Sequence, residues 1–292
     1  MKNGRRNKLE TLIESWRCKH MPSVAQRLLD FSLVLARSKL DPANPLGVLI
    51  DSNILHHAVT HETRWISTGQ SLWGRRHPID TGYLARIPVH DRETQKVEYQ
   101  DIKFLPGLVR LYKNEHLKFW SSAELKVEQA QHPNARFDAI HLYDYTLLKP
   151  NELDCVDGSP WGLLLDRTLS QADAQQARLA ASTDERYHEL VKVLGPNNTQ
   201  DAWHLRTAEI HGLPYFLTMD YRLIRNIAAQ KRNRIIASLT TEAITPSALG
   251  SKLGLVPYPP VLLSYTNASY PVRADLSLPG DKRGPSFRPK KQ

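Results

Sequence analysis

The chain has 292 residues, of which 41% are hydrophobic and 24% charged, as is typical of a globular protein with a substantial core. Its two cysteines, Cys18 and Cys155, are far apart and form no CxxC pair, so the sequence indicates neither a disulfide framework nor a thiolate zinc site, and a reducing compartment fits. Because no apolar run approaches the roughly 20 residues of a membrane span, we expect a cytoplasmic protein without a membrane partner.

The formal net charge of +9 is concentrated at the two ends of the chain. Residues 1–20 carry a net charge of +4 and residues 279–292 carry another +4, which leaves about +1 for the residues between them. Basic termini can bind phosphate backbones by releasing counterions. Solvated, mobile tails are the commoner explanation of such termini and are favoured here.

Helix and strand patterns alternate along the first half of the chain. Two helices are predicted within residues 8–40, followed by a break at residues 41–45 and a short apolar strand that ends at Asp51. The next predicted elements are a helix carrying His56, His57 and His61, a polar loop to about residue 80, a β-hairpin with strands at residues 83–89 and 96–99, a helix through residues 105–112 and a strand at residues 117–120.

The second half continues the alternation. A capping box at residues 121–124 opens a helix that carries Glu128. The remaining predicted elements are a helical region at residues 170–194 that is broken near Ser182, a helix at 201–210, a strand at 215–217, a helix at 221–232, a strand at 235–237 and a last short helix that begins within 244–249. This order predicts an α/β fold with a central, mainly parallel sheet flanked by helices, an inserted β-hairpin and an N-terminal helical extension.

Four acidic residues lie where such a fold forms its sites. Asp51 and Asp220 each follow a strand and would leave the carboxyl edge of the sheet, while Glu128 and Asp201 lie on neighbouring helices. Four converging carboxylates repel one another unless a cation neutralises them. Mg²⁺ and Mn²⁺ prefer oxygen ligands and promote phosphodiester hydrolysis. Each acid by itself is explained equally well as a helix cap, a partner of a helix dipole or a surface charge.

The contexts of these acids carry a family resemblance. The run VLIDSNIL at residues 48–55 ends a strand in an aspartate that is followed two positions later by an asparagine. DAWHLRTA at residues 201–208, GLP at 212–214 and LTMDYRL at 217–223 place one aspartate at the start of a helix and a Thr-x-Asp after the next strand. Together with ITPS at residues 244–247, these motifs resemble the PIN domain (PilT N-terminus), a family of nucleases.

The resemblance implies a set of site residues. The metal-binding and catalytic acids would be Asp51, Glu128, Asp201 and Asp220, and the polar residues that position them would be Asn53, Ser122 and Thr218. Glu124 is the alternative to Glu128 as the second acid. We prefer Glu128 because the capping box already explains Glu124, and because Glu128 lies one turn deeper on the same helical face.

The resemblance also implies a domain organisation. A PIN-like nuclease domain would occupy residues 46–260 and would be enlarged by insertions near residues 62–100 and 135–168, because the acids are more widely spaced than is usual for the family. Residues 1–45 would form a helical N-terminal extension. Residues 261–292 would form a basic, Pro-rich tail that is extended or disordered.

The expected function is that of a metal-dependent endoribonuclease using Mg²⁺ or Mn²⁺. Its main partner would be nucleic acid, with single-stranded or structured RNA favoured over DNA by the family's tendency. A protein partner or inhibitor and a homo-oligomer are open possibilities. The alternative function is a catalytically silent PIN-like scaffold that binds nucleic acid or protein.

Two further groups of residues allow more than one interpretation. His57 and His61 have the i, i+4 spacing of helical zinc ligands, but no HExxH motif accompanies them, so exposed or partly buried histidines are favoured. A second group mixes cations with aromatic rings, as single-strand binders do, and anchoring of a loop explains it equally well. Its members are Arg64, Trp65, Trp73, Arg75 and Arg76.

Overall fold

The computed structural model describes residues 8–74, 76–90, 96–131, 145–158 and 170–276. The strands are β1 (Leu46–Ile50), β2 (Val59–Trp73), β3 (His77–Pro88), β4 (Leu117–Ser121), β5 (Tyr145–Thr146), β6 (Asp154–Cys155), β7 (Tyr215–Leu217) and β8 (Glu242–Ile244). The helices are α1 (Lys8–Ser32), α2 (Val34–Lys39), α3 (Ser52–His57), α4 (Lys96–Ile102), α5 (Leu105–Lys113), α6 (Ala123–Gln131), α7 (Gln171–Ala180), α8 (Glu185–Leu194), α9 (Thr199–Ile210), α10 (Tyr221–Ala229), α11 (Arg234–Ala237) and α12 (Pro246–Leu253).

Five strands form a parallel sheet in the order β6-β4-β1-β7-β8. The chain builds outward from β1 through β4 to β6, and then crosses to the other side of β1 to form β7 and β8. Open α/β sheets form their sites where the strand order reverses, in the crevice beyond the carboxyl ends of the strands. Here the reversal lies between β1 and β7, which end next to Asp51 and Thr218.

Helices cover both faces of this sheet, so the predicted α/β fold is confirmed. Side chains alternate along β1, and they reach two different cores. Val48 and Ile50 pack in a core with residues of α1 to α5 and α12, whereas Leu49 packs with Phe216 of β7 and with residues of α6 to α11. Burial on both faces explains why these strands are short apolar runs.

The second sheet is antiparallel, with the order β3-β2-β5. β2 and β3 pair from His61 and Pro88 at the base to Trp73 and His77 at the tip. The first five residues of β2 and the last four of β3 are buried, whereas residues 65–74 and 76–84, which we call the outer arm, are mostly exposed. The inserted β-hairpin is therefore present, but its strands differ from the predicted ones.

Several predicted elements are wrong. The polar loop expected before residue 80 is mostly strand β2, and residues 96–99, expected to pair with residues 83–89, begin helix α4. The strand expected at residues 235–237 is the short helix α11, and the edge strand is β8. His61 lies on β2 rather than on α3, so His56, His57 and His61 do not share a helix.

Some predictions lie partly or wholly outside the described residues. These include most of the expected hairpin turn at residues 90–94, much of the insertion at residues 135–168, Arg75 and the tail beyond residue 276. The described part of the tail packs against the body: a 3₁₀ helix spans Pro260–Leu263, and the N–H of Arg86 donates to the carbonyl of Pro271 at 2.8 Å.

Within the described ranges, none of the helices combines the length and apolar character needed to cross a membrane.

Candidate functional site

Asp51 directly follows β1, and one oxygen of its carboxylate accepts hydrogen bonds from two side chains. Its backbone N–H donates to the carbonyl of Leu217 at 3.0 Å, which extends the pairing of β1 with β7. The Asn53 amide donates to Oδ2 of Asp51 at 2.7 Å, and the Thr218 hydroxyl donates to the same oxygen at 2.5 Å. The Asp51 side chain is buried, so these bonds fix its orientation.

Thr218 and Asp220 occupy the neighbouring position after β7. The N–H of Asp220 donates to the Thr218 hydroxyl at 3.0 Å, and the N–H of Met219 donates to Oδ1 of Asn53 at 3.1 Å. The Asp220 carboxylate accepts from the N–H groups of Arg222 and Leu223 and thereby caps α10. The ends of the two strands are thus joined by hydrogen bonds between Asn53, Thr218 and Asp51.

Glu128 reaches the site from α6. Its Oε1 accepts from Nε2 of His204 at 2.9 Å and from the Gln175 amide at 3.1 Å. Gln175 is itself positioned by Gln200, whose amide donates to it at 2.7 Å. Burial would raise the pKa of Glu128, but the charge and hydrogen bond of His204 and the hydrogen bond of Gln175 outweigh burial and lower it.

Asp201 lies in the first turn of α9, and its pKa is affected by the charges of the other three acids. Burial raises its pKa, and despite the opposing effect of His204 the charges of Asp51, Asp220 and Glu128 contribute to a value of about 6. The pKa of Asp51 is raised by burial and by Glu128. Burial would lower the pKa of His204, but the carboxylates around it, led by Glu128, raise it to about 9. The fold therefore brings all four predicted acids into one electrostatically coupled cluster.

The remaining predicted site residues have other contacts. Both oxygens of Glu124 accept from the Arg178 guanidinium, at 2.8 and 2.9 Å, so the predicted capping role of Glu124 is wrong. The Ser122 hydroxyl accepts from the N–H of Leu125 at 3.3 Å and so bonds to the first turn of α6. Of the three expected positioning residues, Asn53 and Thr218 contact an acid of the cluster, while Ser122 acts on the helix that carries Glu128.

The sequence interpretation missed His204 and Gln175. His204 follows Asp201 by three positions on α9, and residues at this spacing share a helix face, so the sequence contained a signal for it. Gln175 lies on α7, 47 positions from Glu128 in the chain, and no local pattern connects the two.

Of the histidines near Asp51, His61 has a structural explanation. His61 is fully buried, and its ring nitrogens bond to the hydroxyls of Thr60 and Ser264, both at 2.9 Å. Burial and the charge of Arg86 hold the pKa of His61 well below its usual value, so this ring is neutral. His61 is thus more deeply buried than the exposed or partly buried position that the sequence favoured.

The acid cluster fits a divalent cation in charge and in donor type. Carboxylate oxygens are the ligands that Mg²⁺ prefers. The charges of Asp51, Asp220 and Glu128 add to the effect of burial in raising the pKa of Asp201, and a cation would neutralise these charges. Within the described ranges, however, no three acidic, histidine or cysteine side chains are arranged to hold an ion directly. Mg²⁺ usually keeps several waters and binds one or two carboxylates, so a cluster of this kind can hold it partly through water.

No family model, curated protein or solved structure matches this chain. The PIN-domain assignment therefore remains a prediction based on the motifs around Asp51, Asp201 and Asp220. The topology of the sheet and the coupling of the acids do not depend on that assignment.

Proposed function

We propose that this protein is a metal-dependent endoribonuclease of the PIN-domain type that acts in the cytoplasm. The observation that carries the proposal is the grouping of four carboxylates at the carboxyl edge of a parallel sheet, where burial and then the charges of the other three acids raise the pKa of Asp201 to about 6. Burying carboxylates close to one another costs stability, and a metal-dependent function gives a reason for keeping them there. The choice of RNA over DNA depends on the resemblance to the PIN family.

In this proposal Asp51, Glu128, Asp201 and Asp220 hold Mg²⁺ or Mn²⁺. The bound cation would lower the pKa of a water molecule and stabilise charge on the phosphodiester. Asn53 and Thr218 orient Asp51, and His204 and Gln175 orient Glu128, through the hydrogen bonds described above. Hydrogen bonds of this kind typically change metal affinity or activity by about 10- to 100-fold.

The test is cleavage of end-labelled single-stranded RNA by the purified protein in Mn²⁺ or Mg²⁺, with and without a chelator. A DNA strand of the same sequence serves as the second substrate. Asp51→Asn and Asp220→Asn keep the shape of the side chain and remove its charge, and each should lower the cleavage rate by at least about 100-fold, in line with a loss of several kcal/mol of transition-state stabilisation.

A matched control is Asp41→Asn. Asp41 is exposed in the loop before β1, and the side-chain oxygen that accepts from the N–H of Ala43 is kept in asparagine. We expect the control to cleave at the wild-type rate. Cleavage that persists in both site variants, or in chelator, would contradict the four-acid site. Absence of cleavage together with retained RNA binding would favour the silent scaffold.

A further inference from the structure

The segment after Asp220 is strongly basic. Between Asp220 and Glu242 the chain contains five Lys or Arg residues and no Asp or Glu. All five are exposed. We call them the basic strip; they are Arg222 and Arg225 on α10, Lys231 and Arg232 in the following turn, and Arg234 at the start of α11.

The basic strip forms no ion pair with a carboxylate among the described residues. Elsewhere in that part of the chain, arginines are commonly neutralised in ion pairs. Examples are Arg37–Asp30, Arg64–Glu62, Arg110–Asp30, Arg178–Glu124, Arg206–Asp184 and Arg273–Asp275. In the strip, the described contacts of the side chains include only one hydrogen bond, from Nε of Arg225 to the carbonyl of Tyr221 at 3.1 Å. Five neighbouring cations of this kind repel one another, so the strip would gain stability from a polyanion.

The strip also begins at the candidate site. Asp220 belongs to the acid cluster and caps α10, so Arg222 follows it by two residues and Arg225 lies one turn further along. A nine-residue helix is about 13 Å long, so α10 extends the basic surface by about this distance beyond the cluster. On the opposite side of α10, Leu223 is buried in the core, which fixes the helix and leaves the arginines facing solvent.

A site of four carboxylates repels the phosphates of a nucleic acid, so a substrate needs attraction from cations nearby. We propose that the basic strip binds the phosphate backbone of a single nucleic-acid strand, which then runs from the acid cluster along α10 to α11. The inference deepens the proposed nuclease function and rests on it. Backbone contacts of this kind are independent of base sequence and depend strongly on salt.

The test is binding of a fluorescently labelled single-stranded RNA of mixed sequence, measured by anisotropy in chelator across a series of salt concentrations. The variant is Arg222→Gln with Arg225→Gln, because glutamine keeps the length and the helix propensity of this face. Each lost phosphate contact should flatten the slope of log affinity against log salt by about 0.7. We therefore expect a slope about 1.4 units shallower and affinity at least about tenfold weaker at low salt.

The control is Lys113→Gln with Lys192→Gln, which removes the same charge from exposed positions on α5 and α8. It should retain the wild-type slope and affinity within about twofold. If the strip variant and the control behave alike, or if the wild-type protein does not bind the RNA, the inference is overturned. Because the assay contains no metal, its result is independent of cleavage: a strip that binds RNA in a protein that does not cut would refute the nuclease alone.

Discussion

The two sheets of this protein are stabilised in different ways. The parallel sheet is covered by helices on both faces, and its central residues, such as Leu49 and Phe216, have no exposed surface. The antiparallel sheet is buried only at its base, and its outer arm extends into solvent. A rigid, covered edge can hold buried polar groups in fixed positions, which a two-stranded ribbon in water cannot do. This difference explains why the acid cluster lies at the edge of the parallel sheet.

Local contacts give the outer arm its order. The indole N–H of Trp65 donates to Asp80 at 3.0 Å, and the Ser67 hydroxyl donates to the same carboxylate. The Trp65 ring also covers Gly82, where an added Cβ would lie 2.7 Å from the ring. Trp73 at the tip is 70% exposed, and its side chain has no hydrogen bond or ring contact with the described residues. Anchoring thus accounts for Trp65 and leaves Trp73 unexplained.

The largest expected effect is on the core of the parallel sheet. Phe216→Ala removes a fully buried ring from β7, and we expect it to lower the free energy of unfolding by about 3–5 kcal/mol. Leu72→Ala on the exposed outer arm should cost less than about 0.5 kcal/mol. Urea unfolding at about pH 7 compares the two. A similar cost for both variants would show that the arm is packed against another surface in solution.

An intermediate effect is expected from the ion pair of His204 and Glu128 behind the acid cluster. His204 has a pKa of about 9 in the folded protein and about 6.5 in the unfolded chain. Its contribution to stability is therefore fully present below about pH 6.5 and is lost as the pH rises through about 9. Relative to His204→Gln, the wild-type protein should lose about 1.4 kcal/mol or more between about pH 7 and about pH 9.5, which corresponds to one pKa unit.

Thermal or urea unfolding of both proteins across this pH range measures the difference. Asp201, with a pKa of about 6, is ionised throughout this range, so it does not contribute to the change. A constant difference between wild type and variant across the range would mean that His204 is neutral in the folded protein.

The smallest effects are expected within the arm. Trp65→Ala removes the cover of Gly82 and the bond to Asp80, and should weaken the arm locally by about 1 kcal/mol. Trp73→Ala should change stability by no more than about 0.5 kcal/mol. Hydrogen exchange at the backbone amides of the outer arm measures its local stability in both variants. Equal loss of protection in the two variants would show that Trp73 also supports the arm.

The parallel sheet was predictable because its signal is local. β1 and β7 are short apolar runs, and β1, β4 and β7 were each predicted to within one residue at their carboxyl ends. Asp51 and Asp220 follow such runs directly, so the sequence alone places them at the sheet edge. The break between α7 and α8 near Ser182 was predicted correctly for the same kind of reason, a change in local pattern.

The outer arm could not be predicted in the same way. A ribbon exposed on both faces has no alternation of apolar and polar residues, so most of β2 was mistaken for a loop. The true partner of residues 83–88 is β2, and only the cross-strand register from His61 to Trp73 identifies it. Strand pairing is a long-range choice, which short-range periodicity does not determine.

The sequence by itself determined the α/β class and the strands that present Asp51 and Asp220, because each depends on residues close together in the chain. The tertiary structure decided which groups surround those acids. His204 and Gln175 donate hydrogen bonds to Glu128 from other helices, and Arg178 pairs with Glu124. Thr218 donates to Asp51, which lies 167 positions away in the chain. Such contacts form only when packing brings distant segments together, and burial then sets the pKa values that define the site.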